Sequence, residues 1–296
     1  MDCCKDMQAA AYSSHLDCLR RIRRNGGEWD RKTTYYAAKN GHLDCLKYAH
    51  ENGCKWHSET TWRAAKHGNL DCLKYAHENG CPWDPYTTAG AARHGHLDCL
   101  RYAHENDCPW DTITTGAAAT YGRLDCLRYA RENGCPWDPE TTRAAAGGHL
   151  DCLRYAHENG CPWHPGTTWM AAGYGHLDCL KYAHKNDCPW DPYTTRAAAD
   201  SGQLDCLKYA HENGCPWDPN TTWVAAKHGR LDCLRYAHEN GASATDDMAK
   251  QTLVALYQQD VSGLLPDSTT YFSVIPKDIC GIIAEFYAGS MLHSPG

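Results

Sequence analysis

The stretch Asp84-Pro85-Tyr86-Thr87-Thr88-Ala89-Gly90-Ala91-Ala92-Arg93-His94-Gly95-His96-Leu97-Asp98-Cys99-Leu100-Arg101-Tyr102-Ala103-His104-Glu105-Asn106-Asp107-Cys108-Pro109-Trp110 decides the fold. Asp84 is a good N-cap, and Pro85 suits a first helical turn, where no amide hydrogen is needed. Thr87, Thr88, Ala91 and Ala92 then give a short helix with small residues along one side. Gly95 ends it, since glycine takes the left-handed conformation that stops a helix. A second helix, Leu97 to Asn106, aligns Leu97, Leu100 and Ala103 on one face, widened by Cys99 and Tyr102. Asp98 can pair with Arg101, and Arg101 with Glu105, on the wet face. Asp107 to Asp111 is a turn. Two such short helices cannot bury their apolar sides alone, so each pair needs neighbours.

The neighbours are copies. Leu-Asp-Cys-Leu occurs nine times, starting at Leu16, Leu43, Leu70, Leu97, Leu124, Leu150, Leu177, Leu204 and Leu231. The spacing is 27 residues, except for 26 between Leu124 and Leu150. A fixed period of this length specifies a stacked solenoid, here all-α with helix-turn-helix units. The missing residue falls in Ala144-Ala145-Ala146-Gly147-Gly148. It predicts a short first helix there, because one residue is worth a rotation of about 100° in an α-helix.

The order Thr, Ala-Ala, Gly-His-Leu, then a leucine helix ending in Asn-Gly resembles the ankyrin repeat. It is seen at Thr33, Ala37-Ala38, Gly41-His42-Leu43 and Asn52-Gly53, and the resemblance covers roughly residues 7 to 241. The unit is shorter than the ~33 residues of ankyrin, and Thr-Thr stands where Thr-Pro-Leu-His is usual. The resemblance implies ankyrin-like helix pairs with clipped loops and little or no strand. It also implies a protein-binding scaffold with the first helices on the concave side. The repeated Cys-Pro-Trp-Asp wording is similar to divergent ankyrin arrays of large DNA viruses. The ends depart from the pattern. Residues 1–15 read as a degenerate first helix within a 1–241 array, and 242–262 as a capping helix. Residues 263–296 form a helical tail whose phrase Ile275-Pro276-Lys277-Asp278-Ile279 resembles the start of an F-box.

Composition limits the chemistry. The chain carries 19 Cys, 18 His and 11 Trp in 296 residues, with a net charge of −7. That charge argues against general affinity for nucleic acid or anionic membranes. The cluster Arg20, Arg21, Arg23, Arg24, Arg31 and Lys32 therefore reads as a solvated cap. No run of apolar residues is long enough to span a bilayer, and no apolar stretch follows a basic start, so no leader or membrane helix is expected. Cys recurs at nine-residue spacing (Cys45 and Cys54, Cys72 and Cys81, Cys99 and Cys108). Equivalent residues of stacked helices lie about 8–10 Å apart, too far for sulfurs to share a zinc ion. These read as buried structural thiols of a reducing compartment, with no metal or cofactor expected. The recurrent His residues read as a turn hydrogen bond before each Leu and as exposed polar positions later in the helix. No unique acid, base and nucleophile stand together, and no nucleotide-binding or metalloprotease phrase occurs, so the chain is not expected to be an enzyme.

Variation between copies locates the candidate site. The turn tryptophans Trp83, Trp110, Trp137, Trp190 and Trp217 are constant, which predicts a buried structural ladder. The pair after Thr-Thr varies, through Tyr35-Tyr36, Trp62-Arg63, Ala89-Gly90, Arg143-Ala144, Trp169-Met170, Arg196-Ala197 and Trp223-Val224. The pair after Ala-Ala varies too, as does the residue before Thr-Thr. Trp, Tyr and Arg are the side chains that anchor protein interfaces. Tyr35, Tyr36, Trp62, Arg63, Arg143, Trp169, Met170, Tyr174, Arg196 and Trp223 are thus the candidate partner-binding residues, expected to be exposed on the concave first-helix face. The reading is a monomeric, cytoplasmic, non-catalytic scaffold for a protein partner. The alternative is a ubiquitin-ligase adaptor acting through the C-terminal helix.

Overall fold

The computed structural model describes residues 4–244, together with 247, 250–252 and 254. Eighteen helices are described, in nine pairs, and no strand is present among the described residues. The first helices of the pairs are α1 (Met7–Tyr12), α3 (Lys32–Lys39), α5 (Thr60–Lys66), α7 (Thr87–His94) and α9 (Thr112–Thr120). They continue with α11 (Thr141–Ala146), α13 (Thr167–Tyr174), α15 (Thr194–Ser201) and α17 (Thr221–Lys227). The second helices are α2 (Leu16–Arg24), α4 (Leu43–Glu51), α6 (Leu70–Glu78), α8 (Leu97–Glu105) and α10 (Leu124–Glu132). The last four are α12 (Leu150–Glu158), α14 (Leu177–Lys185), α16 (Leu204–Glu212) and α18 (Leu231–Glu239). Positions 247, 250–252 and 254 are helical, within the 242–262 stretch expected to form a capping helix. The tail 263–296, with the F-box-like phrase, lies outside the described residues.

The chain divides into two units. One comprises residues up to 164 except 146–148, and the other comprises 146–148 with 165 onward. Within each unit, neighbouring first helices pack more closely than neighbouring second helices. The reason is side-chain size. From the second pair on, each first helix buries Thr-Thr and Ala-Ala, whereas each second helix buries Cys, Leu and Ala. The nine leucines Leu19 to Leu234 head the largest fully enclosed side chains, so each pair contributes one large aliphatic group.

Both helices of a pair end in the same way. Gly53, in the left-handed region at φ 89°, follows α4. Its N–H donates to the His50 carbonyl at 3.0 Å and the Cys54 N–H to the Ala49 carbonyl at 2.9 Å, which is a Schellman closure. Cys54, only 2% exposed, is its apolar plug. Asp107 and Asp187 hold the same left-handed position without being glycine. Gly95 closes α7 as expected, at φ 79°. Asp84 acts differently from expectation. Its carboxylate accepts from the Tyr86 N–H at 2.8 Å and closes a turn through Pro85, so α7 begins only at Thr87. Where Thr112 replaces that proline, Asp111 caps α9 directly. Arg101 reaches the Tyr129 ring of the next pair, 5.2 Å away, where a pairing within its own helix was expected.

The one-residue deletion is taken up at the helix end. α11 has six residues where the other first helices from α3 on have seven to nine. Thr141, Thr142, Ala145 and Ala146 keep full burial, so the helix loses its last residue and does not rotate. The His149 N–H still finds the Ala145 carbonyl at 2.8 Å.

Two ladders tie successive pairs together within each unit. The inner one is the second threonine. The Thr115 hydroxyl accepts from the Asp138 N–H at 3.1 Å and donates to the Pro136 carbonyl at 2.9 Å. Thr61 and Thr195 hold the next linker in the same way. The outer ladder is aromatic. His104 stacks on Trp110 at 3.8 Å and hydrogen-bonds through Nδ1 to the Tyr129 hydroxyl at 3.0 Å. The Trp110 ring meets Tyr129 edge-on at 6.2 Å. The indole N–H of Trp83 donates to the Asn106 carbonyl, and that of Trp190 to Asn213. These histidines are thus framed by rings rather than standing free, which corrects the sequence expectation. The turn tryptophans are structural as expected, but half-buried rather than buried. The His before each Leu also spans pairs: His42 Nε2 lies 3.0 Å from the Tyr12 carbonyl at the end of α1.

Thr115→Val keeps the shape and removes the hydroxyl, leaving the partly buried Asp138 N–H and Pro136 carbonyl without this partner. A loss of about 1–3 kcal/mol in a urea melt is expected. Unchanged stability would show that the linker holds itself.

Candidate partner-binding face

Because first helices lie close together, a large side chain after Thr-Thr falls across the next helix. In the first unit this makes a continuous strip. Tyr36 meets Tyr12 edge-on at 5.8 Å, and Tyr35 meets Tyr36 at 4.9 Å. The Arg63 guanidinium lies 4.6 Å from the Tyr35 ring and 4.1 Å from Trp62, and Glu59 holds it at 2.9 Å. Lys66 covers Trp62 at 5.0 Å. Beyond Trp62 stands Gly90, where a Cβ would come within 2.8 Å of the indole. Glycine is needed there for close approach, not for its backbone angle.

Beside this contact is a hollow of about 160 Å³ lined by Trp62, Lys66, Tyr86, Gly90, Arg93 and Ile113, among others. Its electrostatics are one-sided. Lys66 is held below its ordinary pKa by partial desolvation and then by Arg63, Arg93 and Lys39. His67 is lowered by desolvation, then by Lys66, Lys39, His94 and Arg63. Burial raises Tyr35, and Arg63 opposes that shift. Cations crowded to this degree favour an incoming carboxylate, and the rings beside them offer flat apolar contact.

In the second unit, Trp169, Tyr193, Arg196, Ala197 and Asp200 line a hollow of about 440 Å³. Arg196 lies 5.9 Å from the Tyr193 ring. Trp223 stands apart from this group, covered by Lys227 at 4.7 Å. Met170 is half-buried and Tyr174 is 63% exposed. Arg143, in the first unit, is engaged by Glu140, which also meets His164 at 3.1 Å.

The expected exposure of the variable positions needs correction. Tyr35, Tyr36, Trp62, Arg63, Arg143, Trp169, Arg196 and Trp223 are half-buried, and Ala89, Gly90 and Val224 are buried. Close spacing of the first helices is the cause. Tyr174 apart, the exposed large side chains on this face include Tyr86 at 58%, Tyr193 at 56% and Ile113 at 46%. All three precede Thr-Thr, a position that sequence comparison marked as variable without naming a residue. Lys66 and Arg93 belong to the variable pair after Ala-Ala, which a cation opens in several copies, and stand outside the ten candidate residues.

The ladder thiols and several cations of the basic cap are occupied structurally. Burial pushes the ladder thiols up, Cys72, Cys99 and Cys108 to about 12 and Cys126 and Cys233 to about 11, so they stay protonated. In the basic cap, Arg20 pairs with Asp17 at 3.3 Å and Arg23 lies over Trp29 at 5.4 Å. No helix among the described residues is long and apolar enough to cross a membrane.

No curated protein sequence matches this chain. Among solved structures, the human ASB11 ankyrin repeat domain is similar at a TM-score of 0.46 and 20% identity, covering 53% of this chain and 84% of that one. The pentatricopeptide repeat protein PPR10 from maize is similar at 0.42 and 14% identity, covering 90% of this chain and 49% of that one. The chain thus spans about half the length of PPR10. Residues 62–104 match the family described as ankyrin repeats (many copies), and they contain Trp62, Arg63, Lys66, Gly90 and Arg93 from the strip just described.

Proposed function

We propose that this chain is a non-catalytic, monomeric scaffold whose first-helix face binds an acidic segment of a protein partner. The observation that carries this reading is the convergence of Arg63, Lys66 and Arg93 around Trp62. Lys66 is held below its ordinary pKa first by partial desolvation and then by Arg63, Arg93 and Lys39, in a chain whose net charge is −7. Ankyrin repeats generally mediate protein–protein interaction, which agrees with the family match over this strip. The closer packing of first helices within each unit supports a face on which an extended segment meets several of them at once. Carboxylates of the partner would sit between Lys66 and Arg93, and an aromatic or aliphatic side chain would fill the hollow over Gly90. Trp169 and Arg196 offer a second site of the same kind. The ubiquitin-ligase adaptor reading rests on Ile275–Ile279 alone, outside the described residues.

The test is affinity capture, with the captured partner's binding segment mapped on peptides and its affinity measured against paired variants. Trp110→Ala removes the His104 stack and the Tyr129 edge contact. It should cost about 2 kcal/mol of stability, less than a fully buried Trp would. Trp62→Ala should cost about 1 kcal/mol of stability, for its cation contacts, and about 2 kcal/mol or more of binding. Full binding by Trp62→Ala, with the loss confined to Trp110→Ala, would sink this face as the site.

Binding should also respond to pH. His67 lies below its ordinary pKa in the free protein, first through partial desolvation and then through the cations beside it. A docked carboxylate raises it, so the complex holds more protons than the free chain. Affinity should therefore increase as pH falls through the histidine range, from about 7.5 to about 6, and weaken with salt. Calorimetry in two buffers of different ionisation enthalpy should show proton uptake, and proton release would contradict the charge assignment.

A further inference from the structure

The first helix pair places three metal-binding side chains together in a way no later pair repeats. His15 occupies the position before Leu16, equivalent to His42 and His149 before their leucines. Those two reach carbonyls at the end of the preceding first helix, His42 to Tyr12 at 3.0 Å and His149 to Thr120 at 3.1 Å. At His15 the described residues hold no preceding pair. Its Nδ1 instead lies 3.0 Å from the sulfur of Cys4. Cys18 is the cysteine of the first Leu-Asp-Cys-Leu copy. Its eight equivalents, Cys45 to Cys233, are only 1–2% exposed, whereas Cys18 is half-buried. Cys4 itself is 7% exposed. One ligand atom from each of Cys4, His15 and Cys18 lies within 4.8 Å of the other two, the one such set among the described residues.

We propose that Cys4, His15 and Cys18 bind one zinc ion at the N-terminal cap. A tetrahedral zinc site with sulfur at about 2.3 Å and nitrogen at about 2.0 Å needs ligand atoms roughly 3.5–4 Å apart. The observed ligand atoms, with Cys4 and His15 at 3.0 Å and all three within 4.8 Å, bracket that spacing. The ladder geometry that excludes a shared ion elsewhere concerns equivalent cysteines of stacked helices. It does not apply to Cys4, which has no equivalent in other pairs. Arg21 lines the same hollow as Cys4. On binding, both thiols lose their protons to buffer, the neutral imidazole donates one nitrogen, and water takes the fourth position. The ion would then join the segment before α1 to α2, a contact that a preceding repeat supplies elsewhere in the array. This site is independent of the partner-binding face.

The test uses the full chain, reduced and stripped of metal with a chelator, and titrated with cobalt(II) and then zinc(II). Cobalt should bind at one equivalent with a thiolate charge-transfer band and tetrahedral d–d absorption, and zinc should displace it. Two protons should be released per ion. Cys4→Ser and Cys18→Ser should each weaken zinc binding at least a hundredfold, with His15→Phe close behind, while Cys72→Ser should leave it unchanged. Far-ultraviolet dichroism of each variant checks that the array is folded. Cobalt binding without a thiolate band, equal affinity in the Cys4→Ser chain, or a Cys4–Cys18 disulfide that persists under reductant would each overturn the assignment.

Discussion

The second threonine of each Thr-Thr pair is the joint on which the array depends. A repeat this short has no room for a hairpin, so the linker Cys-Pro-Trp-Asp has no strand to satisfy its backbone. Proline removes one donor, leaving the Pro carbonyl and the Asp N–H to be met from elsewhere. A hydroxyl can donate and accept at once, and threonine places it with little bulk. Thr61, Thr115 and Thr195 each do both, joining one pair to the linker of the next. Where Ser243 stands in place of proline, Thr222 still donates to the carbonyl, at 2.7 Å. Once the linker is fixed in this way, its tryptophan is aimed at the neighbouring second helix. The aromatic ladder follows from the clamp.

That ladder supplies what the core lacks. One leucine per pair is a small apolar payload, and the other buried groups are mostly Ala, Thr and Cys. The Trp, Tyr and His rings add contact area outside the helices, with a Lys or Arg over the far side of many of the tyrosines. Two copies depart from the histidine, with Arg23 and Arg131 in its position. In both, the guanidinium lies over the following tryptophan, Trp29 or Trp137, at 5.4 and 5.2 Å. The position therefore asks for a flat, polar group that can stack. Histidine and arginine both meet that demand.

The period, the helix pairs, the glycine stops and the shortened α11 were legible in the sequence because each follows from local pattern. The threonine clamp was not. Its partners are more than twenty residues away, and a buried Thr looks like any small residue in a helical pattern. The second-helix histidines were misread for a related reason, since helical position alone places them beside Lys and Glu. Their partners belong to the next turn and the next helix. Among the candidate residues, identity was read better than environment. Comparing copies shows where residues change but not how closely neighbouring helices approach, and that spacing is what half-buries Trp62 and Trp169.

Close spacing also constrains how such a face can vary. Trp62 lies against Gly90 of the next copy, and Trp169 lines a hollow with Ala197 of the next. A tryptophan at the first variable position is followed, one repeat on, by a small residue at the second. With a larger side chain at Gly90, the indole would have to leave its place and its contacts with Arg63 and Lys66 would go. The two positions are therefore coupled through space, and the face cannot change one residue at a time. The same coupling explains where the hollows lie. Each opens where a large ring meets a small residue, and each is rimmed by the exposed tyrosine, Tyr86 or Tyr193, that precedes the next Thr-Thr. The packing rule that lets the first helices approach thus also forms the concave, ring-walled and cation-edged sites along them.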